Sequence, residues 1–362
     1  MSHPLRVAFV LALSCVRLIA AGGAAAAEQD SRPPVAKPNP AVVETNLPTQ
    51  KDFVPQLAFD GDANTFFLSA RAGKAGETFT LTLPAPVKVR HIELLAGKPD
   101  GADALDAVLE VSADGNRFTQ AAAFKAGVAK VDAGGKELRA LRLRLTADAA
   151  SPLAVREIKL DAQPPVPTLK YPIQVVLDAS EVADLKDWCQ RARDLTERWY
   201  PIIAETLSYE GYRPPRRIDL VFKKSDKGIA GTSGTRIVCS DGWFRAHPGD
   251  VGAIIHETVH VVQSYPKYDP VWLVEGIADY VRYYVFEPDS KRRPLDRNRI
   301  RYQDGYGTTA AFLDWIVRTH DKDIIRKLNK ALRTAQYNEA LFKECTGKDL
   351  NALWEEFRGS LP

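Results

Sequence analysis

The chain has 362 residues, more than one ordinary hydrophobic core accommodates, and this length suits two domains of about 100–200 residues each. Its 45% hydrophobic and 26% charged residues are typical of soluble globular proteins. The formal net charge of +3 comes from 49 basic and 46 acidic residues, and without Arg6 and Arg17 of the N-terminal segment it is 47 against 46. A chain this close to neutrality has no overall field that would bind nucleic acid or an anionic membrane, so we expect no nucleic-acid partner. The basic run Lys291-Arg292-Arg293 is interpreted as a solvated loop.

Residues 1–27 have the pattern of an export signal. A basic residue precedes the apolar run Val7 to Val16, and Ala25-Ala26-Ala27 offers small residues for cleavage. Lipid attachment at Cys15 is a weaker alternative, because Ala12 stands where a larger aliphatic residue is usual. No later stretch approaches the ~20 apolar residues of a transmembrane helix. We therefore expect a secreted protein, extracellular or periplasmic, with no transmembrane segment.

Two proline-containing segments divide the rest of the chain. Residues 28–40 are polar and proline-containing and are predicted to be a disordered leader. A second cluster, with Pro164, Pro165 and Pro167, marks a linker over 163–169. The predicted domains are therefore 41–162 and 170–362.

The first domain alternates apolar and polar residues in short runs, which predicts an all-β fold. Turns are expected at Asp114-Gly115-Asn116 and at Gly134-Gly135. The predicted strands include Thr78–Leu83, Val89–Leu95, Ala107–Val111 and Leu141–Leu145.

In the second domain, the spacing of apolar residues changes to that of an amphipathic helix. Apolar residues recur every three or four positions from Asp178 to Leu207, with Asp178 and Glu181 as a possible capping box. Strands are expected at Ile218–Phe222 and around Ile237-Val238, and the chain is mainly helical from Asp250 onward. The second domain is therefore predicted to be α+β.

The mature chain has three cysteines, Cys189, Cys239 and Cys345. An odd number allows at most one intramolecular disulfide, and the pairing is left open. Their spacing is not that of a zinc cluster.

The segment from His256 to His260 carries the predicted chemistry. Residues four apart share a helix face, so His256 and His260 can bind one Zn²⁺, and Glu257 can take a proton from the water that the metal activates. Apolar flanking residues predict a buried helix whose polar face lines a cleft. A chance match of five residues is the alternative.

A second helical window, Trp272 to Tyr280, supplies two more acids. Glu275 and Asp279 are four apart in otherwise apolar sequence. Glu275 is the candidate third metal ligand, and Asp279 would accept a hydrogen bond from the non-ligating nitrogen of one histidine. The exchanged roles, with Asp279 on the metal, stay open, and so does a pair of exposed acids.

Three segments resemble the basic secretory protein family of plants and bacteria. They are residues 256–263, residues 272–282, and residues 305–315 from Gly305 to Trp315. The resemblance covers roughly residues 170–362 and implies a zincin-like, gluzincin-type zinc peptidase in which Glu275 and Asp279 match the acidic positions. Tyr306 could stabilise an oxyanion, as tyrosines do in related metallopeptidases, or it could pack against the following helix.

Residues 41–162 resemble a discoidin-type, galactose-binding-like domain. The features are the acidic turn Phe59 to Phe67, Val111 to Gly115, Leu141-Arg142-Leu143, and Val155 to Ile158. The resemblance implies an eight-stranded jelly-roll sandwich that binds glycans or surfaces. The candidate ligands for a calcium ion are Asp60, Asp62, Thr65 and Glu157, and a turn with solvated acids is the alternative.

The sequence thus predicts a multidomain protein in which an all-β jelly-roll sandwich precedes an α+β zincin-like domain. The predicted function is that of a secreted zinc metallopeptidase, an endopeptidase acting on protein or peptide substrates, with cell-surface glycans as candidate partners of the sandwich. The competing prediction is a non-catalytic glycan- or surface-binding protein with a vestigial zinc domain.

Overall fold

The structure is a computed structural model that describes residues 41–100 and 105–362. The predicted signal peptide and disordered leader lie outside these residues. Within them, no helix is long and apolar enough to cross a membrane.

The N-terminal region forms an antiparallel sheet that folds over one core. A short 3₁₀ helix, Pro55–Phe59, lies between its first two strands. The strands are β1 Val42–Thr45, β2 Phe67–Ala72, β3 Thr78–Ala96, β4 Ala107–Ser112, β5 Thr119–Ala123, β6 Val128–Leu145 and β7 Pro152–Gln163.

Two long strands, β3 and β6, contribute to both layers of a sandwich. The first half of β3 pairs with β1 and with the second half of β6, which also pairs with β4. The second half of β3 pairs with β7, which in turn pairs with β2. Phe79 and Leu81 of one layer and Ile92 and Leu94 of the other are buried in the same hydrophobic core. The predicted all-β sandwich is therefore confirmed.

Irregularities in the pairing of β3 with β6 accompany the bend between the layers. The register shifts between Thr82 and Val87, where Pro84 and Pro86 cannot donate ladder hydrogen bonds. It shifts again opposite Gly134 and Gly135, which have positive φ and form a bulge within β6 instead of the predicted turn. Among its described residues the sandwich has seven strands and not eight, and the segments 78–83 and 89–95, expected as separate strands, are one continuous strand.

The proline segment leads directly out of β7. Its residues 163–168 are exposed or half-buried, whereas Leu169 is buried in the core of the sandwich. The backbone N–H of Leu169 also donates to Phe59 O at 2.8 Å. The last residue of the predicted linker is therefore anchored on the sandwich.

The C-terminal region packs helices on a four-stranded sheet of order β10-β11-β9-β8. Strands β8, β9 and β11 run parallel, and β10 is an antiparallel edge strand. The strands are β8 Gln174–Asp178, β9 Arg217–Lys223, β10 Ala230–Ser233 and β11 Arg236–Ser240. The helices are α1 Lys186–Thr206, α2 Asp241–Ala246, α3 Gly252–Gln263, α4 Val271–Tyr280, α5 Tyr306–Thr319, α6 Ile324–Arg333, α7 Ala340–Thr346 and α8 Leu350–Ser360. The mixed α/β character predicted for this region is confirmed.

The first helix begins later than the sequence predicted. Asp178 is the last residue of β8, and its carboxylate accepts hydrogen bonds from the N–H and the hydroxyl of Ser180. A 3₁₀ helix, Ser180–Leu185, follows before α1. The expected capping box with Glu181 is therefore wrong, because Asp178 caps a turn that leaves a strand.

Candidate metal centre

Helix α3 carries the two predicted histidines through the middle of the C-terminal core. Ile254, Ile255 and Val259 are at most 1% exposed and hold one side of the helix in that core. This leaves His256 and His260, one turn apart, on the side that faces α4 and the cleft. The apolar face of α3 thus fixes the direction in which both imidazoles point.

Three ligand atoms converge between α3 and α4. His256 Nε2 lies 3.1 Å from His260 Nε2 and 3.1 Å from Glu275 Oε2, and His260 Nε2 lies 3.6 Å from the same oxygen. A tetrahedral ion with bonds of 2.0–2.1 Å places its ligand atoms roughly 3.3 Å apart. In the described part of the chain, these residues are the group of three whose donor atoms lie close enough together to hold a metal ion.

The other nitrogen of each imidazole is bound to an oxygen. His256 Nδ1 lies 2.7 Å from Asp279 Oδ1, and His260 Nδ1 lies 2.7 Å from Gln263 Oε1. The Gln263 amide is oriented by its own nitrogen, which donates to Val274 O at 2.9 Å. Its Oε1 therefore accepts a hydrogen bond, and both Nδ1 atoms act as donors.

These hydrogen bonds determine what the centre can bind. A neutral imidazole that donates from Nδ1 presents a lone pair at Nε2. Two such lone pairs and the carboxylate oxygen of Glu275 face one another at hydrogen-bonding distances, an arrangement that repels unless a cation or a proton lies between them. The donor set of two imidazoles and one carboxylate suits Zn²⁺.

The electrostatics of the centre also favour positive charge. Burial lowers the pKa of His256, but the hydrogen bonds to Asp279 and Glu275 outweigh it and raise this pKa to about 9. Burial raises the pKa of Glu275, but the two histidines outweigh it and lower this pKa to about 2. Glu275 and Asp279 are 6% and 5% exposed, so the alternative of exposed acids is wrong.

Glu257 lies beside the three ligand atoms and is held by the edge strand. Thr232 Oγ1 of β10 is 2.7 Å from Glu257 Oε2 and 3.0 Å from its backbone oxygen. Both residues line the cleft. A carboxylate in this place can accept a proton from a molecule in the cleft.

Two tyrosines contact residues of the centre. The hydroxyl of Tyr268 donates to Glu275 Oε1, and the Tyr306 ring stacks on His256 with centroids 6.2 Å apart. Both side chains line the cleft and are more than half exposed. The packing alternative for Tyr306 is therefore disfavoured, and its phenol can donate to a negatively charged oxygen.

The centre opens into a cleft of about 1570 Å³. One wall is the edge strand β10, whose second edge is not paired with another described strand. Other parts of the lining are Tyr283 and Tyr284, the loop that follows them, and the start of α5. Ligand pockets for small molecules are about 300–1,000 Å³, so this cleft has room for a larger ligand.

Sequence reasoning missed three of these residues. Gln263 follows His260 by three positions on the same helix face, and that spacing could have identified it. Thr232 and Tyr268 lie on an edge strand and in a loop, and no periodic pattern points to them.

Only some of the candidate calcium ligands at the acidic turn of the sandwich lie close together. Burial, and after it the nearby negative charge of Asp60, raises the pKa of Glu157 to about 7. Glu157 is 3% exposed, and its Oε2 is buried without a hydrogen-bond partner among the described residues. Thr65 donates to Asp60, whereas the exposed Asp62 accepts hydrogen bonds from Asn64. The structure therefore brings Asp60, Thr65 and Glu157 together and turns Asp62 toward solvent.

The cysteines contribute no link to either site. Cys189 and Cys239 are buried free thiols, and Cys345 is a half-buried one.

Comparison with solved structures finds carbohydrate-binding modules that resemble the N-terminal region. One is the module CBM32-1 from a family 31 glycoside hydrolase of Clostridium perfringens, at 19% identity over 34% of this chain and 95% of that one, with a TM-score of 0.30. Another is chitosan-binding module 1 from a chitosanase/glucanase of Paenibacillus sp. IK-5, at 15% identity over 34% and 95% of the chains, with a TM-score of 0.30. A third is the family 32 module of C. perfringens NanJ in complex with galactose, at 12% identity over 34% and 97%, with a TM-score of 0.28. At these scores the sandwich architecture rests on its own strand pairing and core.

The C-terminal region matches a protein family. The family model described as a peptidase of plants and bacteria matches residues 189–357, which include the histidines of α3 and the acids of α4. No curated protein matches the chain. Residues 189–357, a little under half of the chain, therefore match the family described as a peptidase of plants and bacteria.

Proposed function

We propose that this protein is an exported zinc-dependent endopeptidase. The observation that carries the proposal is the convergence of His256 Nε2, His260 Nε2 and Glu275 Oε2 at 3.1–3.6 Å, with both Nδ1 atoms hydrogen-bonded to oxygens. His256, His260 and Glu275 would hold the zinc, and Asp279 would orient His256. Asp279 faces Nδ1, on the far side of the ring from the other ligand atoms, which supports Glu275 over Asp279 as the third ligand.

The chemistry follows from the residues around the ligands. Zinc bound there would act as a Lewis acid toward the carbonyl oxygen of the scissile peptide bond. Glu257 would take a proton from the attacking water and return it to the leaving amine. Thr232 would hold the Glu257 carboxylate in position through the 2.7 Å contact. Tyr306 is a candidate donor to the developing oxyanion.

A peptide is the substrate that the cleft wall supports. The unpaired edge of β10 offers backbone N–H and C=O groups to an extended chain, which could add to the sheet as a further strand. Gly231 in this strand has no atom within 4 Å of the place where a Cβ would stand, so a peptide could approach the backbone closely. The size of the cleft supports cleavage within a chain over removal of single terminal residues.

The N-terminal sandwich is proposed to bind cell-surface glycans or another surface. Phe53 is 36% exposed and contacts Phe66, beside the acidic turn, with ring centroids 4.9 Å apart and ring planes tilted by 31°. Such a pair offers an apolar face to a sugar ring.

We further propose calcium as a structural ion at Asp60 and Glu157, since the unpartnered Glu157 Oε2 is a hard oxygen donor. Added calcium should then raise the unfolding temperature of the wild type and not that of Glu157→Gln.

The division into two domains is likewise a proposal. It assigns 1–27 to the signal peptide, 28–40 to the leader, 41–162 to the sandwich, 163–169 to the linker and 170–362 to the peptidase domain. The two regions have separate hydrophobic cores, which supports this division.

The test of the peptidase proposal is Glu257→Gln, which keeps size and hydrogen bonding but removes the base. Zinc content should persist while hydrolysis of denatured casein falls by roughly 10²-fold or more. A chelator should abolish hydrolysis by the wild type, and added zinc should restore it. If the zinc-loaded wild type cleaves no protein, or if Glu257→Gln retains full activity, the proposal is wrong. In the first case the competing function, a binding protein with a vestigial zinc domain, would be favoured.

A further inference from the structure

A basic loop follows the second helix of the centre and lines the same cleft. The loop comprises residues 287–301, between the π-helical turn Val281–Phe286 and the short 3₁₀ helix Tyr302–Asp304. Four of its cationic side chains line the cleft, Lys291, Arg292, Arg293 and Arg299, and all four are exposed. The run that the sequence indicated as merely solvated therefore lines the cleft into which the candidate centre opens.

The charges of this loop are not neutralised within the cleft. Arg292 is held by the carbonyl oxygens of Tyr283 and Pro288, at 2.5 and 3.2 Å, and stacks over the Tyr284 ring. None of these partners carries a negative charge. Among the described residues, Lys291, Arg293 and Arg299 have no carboxylate within salt-bridge distance.

The other charged residues that line the cleft near this loop do not reverse the excess. Arg282 is neutralised by Asp250 and Glu287, at 2.5 and 2.8 Å. The loop and the 3₁₀ helix after it contribute two acids to the lining, Asp296 and Asp304. Asp304 forms an ion pair with Arg301, so Asp296 is the acid of these two that no described cation neutralises. Along the loop, four cations thus accompany one uncompensated lining carboxylate, while Glu257, Glu275 and Asp279 line the cleft at the centre itself.

From this geometry we infer that the cleft selects acidic peptide segments, and that Lys291, Arg292, Arg293 and Arg299 set the preference. This inference rests on the proposed function, because it assigns a substrate class to the same cleft. The chain as a whole is close to neutral, so the attraction is local to the cleft. Exposed ion pairs are individually weak, and the preference therefore depends on several of them acting together.

The experiment measures binding separately from cleavage. The full chain with Glu257→Gln, loaded with zinc, is titrated by fluorescence anisotropy with two labelled extended peptides that are identical except for several Glu replaced by Gln. We expect the Glu peptide to bind about 10-fold more tightly, and this difference to shrink as salt is raised from about 50 to 300 mM. Replacing Lys291, Arg293 and Arg299 together with Ala should remove most of the difference and leave the affinity for the Gln peptide unchanged.

A matched control separates the cleft from the overall charge. Arg297, Lys322 and Lys343 are exposed basic residues that do not line the cleft, and replacing them with Ala removes the same net charge. This control should retain the preference. Equal binding of the two peptides, or equal losses in the two triple variants, would overturn the inference. A wild type that cleaves neither peptide while Glu257→Gln still prefers the Glu peptide would contradict the peptidase function and support the charge preference.

Discussion

Replacing Asp279 and Glu275 separately tests which carboxylate binds the metal. Asp279 Oδ1 is 2.7 Å from His256 Nδ1, so it acts on the metal only through the ring. Loss of such a partner weakens metal binding by about 10–100-fold, which corresponds to roughly 1.4–2.7 kcal/mol. Glu275 Oε2 lies 3.1 Å from His256 Nε2, among the ligand atoms themselves. We therefore expect Glu275→Ala to lower zinc affinity by more than Asp279→Ala does.

The assay is a competition titration of zinc between each variant and a chromophoric chelator, with circular dichroism to show that the variants fold. Removing any negative charge from the cleft weakens cation binding somewhat, and Asp296→Ala measures that general effect, since Asp296 lines the cleft outside the centre. If Asp279→Ala abolishes stoichiometric zinc while Glu275→Ala retains it, the third ligand is Asp279 and the assignment above is wrong.

Three further predictions concern residues that support the site and the fold. Gln263→Ala should weaken zinc binding by about 10-fold in the same titration, less than Asp279→Ala, because a neutral acceptor holds His260 less strongly than a carboxylate would. Burial raises the pKa of Glu197 from 4.5 to about 7, so its stabilising contribution is present below pH 4.5 and lost as pH rises through 7. Urea unfolding should therefore find Glu197→Gln about 1–3 kcal/mol more stable than the wild type at pH above 7 and equal to it below pH 4.5. Gly276→Ala should destabilise the protein by about 1–3 kcal/mol, since its Cβ would lie 2.2 Å from Thr309 Cγ2, whereas Gly359→Ala, with open space around it, should not.

The local periodicity of apolar residues was sufficient to predict most helices and strands and the central residues of the candidate site. The spacing of His256 and His260 on an apolar helix predicted that both rings face one side, and the structure brings their Nε2 atoms to 3.1 Å. The apolar window around Glu275 and Asp279 favoured roles at a metal site over a pair of exposed acids, and both acids are buried. Both predictions depend only on residues close together in the chain.

Features that depend on distant contacts were not predictable in this way. Thr232 reaches Glu257 because β10 pairs with β11 and packs on α3, an arrangement set by the sheet and not by the residues around it. The start of α1 was predicted too early because Asp178 fits the pattern of a helix cap and equally the end of a parallel strand. In the structure, Asp178 belongs to a strand because β8 pairs with β9.

The basic loop illustrates the same limit. Composition alone predicted exposed, solvated side chains at Lys291 to Arg293, and the structure agrees that they are exposed. A run of charges carries no information about the side of the molecule on which its loop lies. Contacts with residues elsewhere in the chain, such as Tyr283 and Tyr284 with Arg292 and Arg358 with Arg297, hold the loop along the cleft, where the same exposed charges can act on a ligand.

The charge of the centre gives a physical reason for its composition. Glu275 and Asp279 contribute a charge of −2 at a place where both are at most 6% exposed. With His256 protonated, as its raised pKa favours, the group still carries −1. A divalent cation with neutral histidines brings the group to zero and satisfies the two lone pairs at Nε2. Because buried charge is tolerated only when it is compensated, two acids on an apolar helix would weaken this core if they served the fold alone. Their position opposite two histidines therefore supports the proposed metal site.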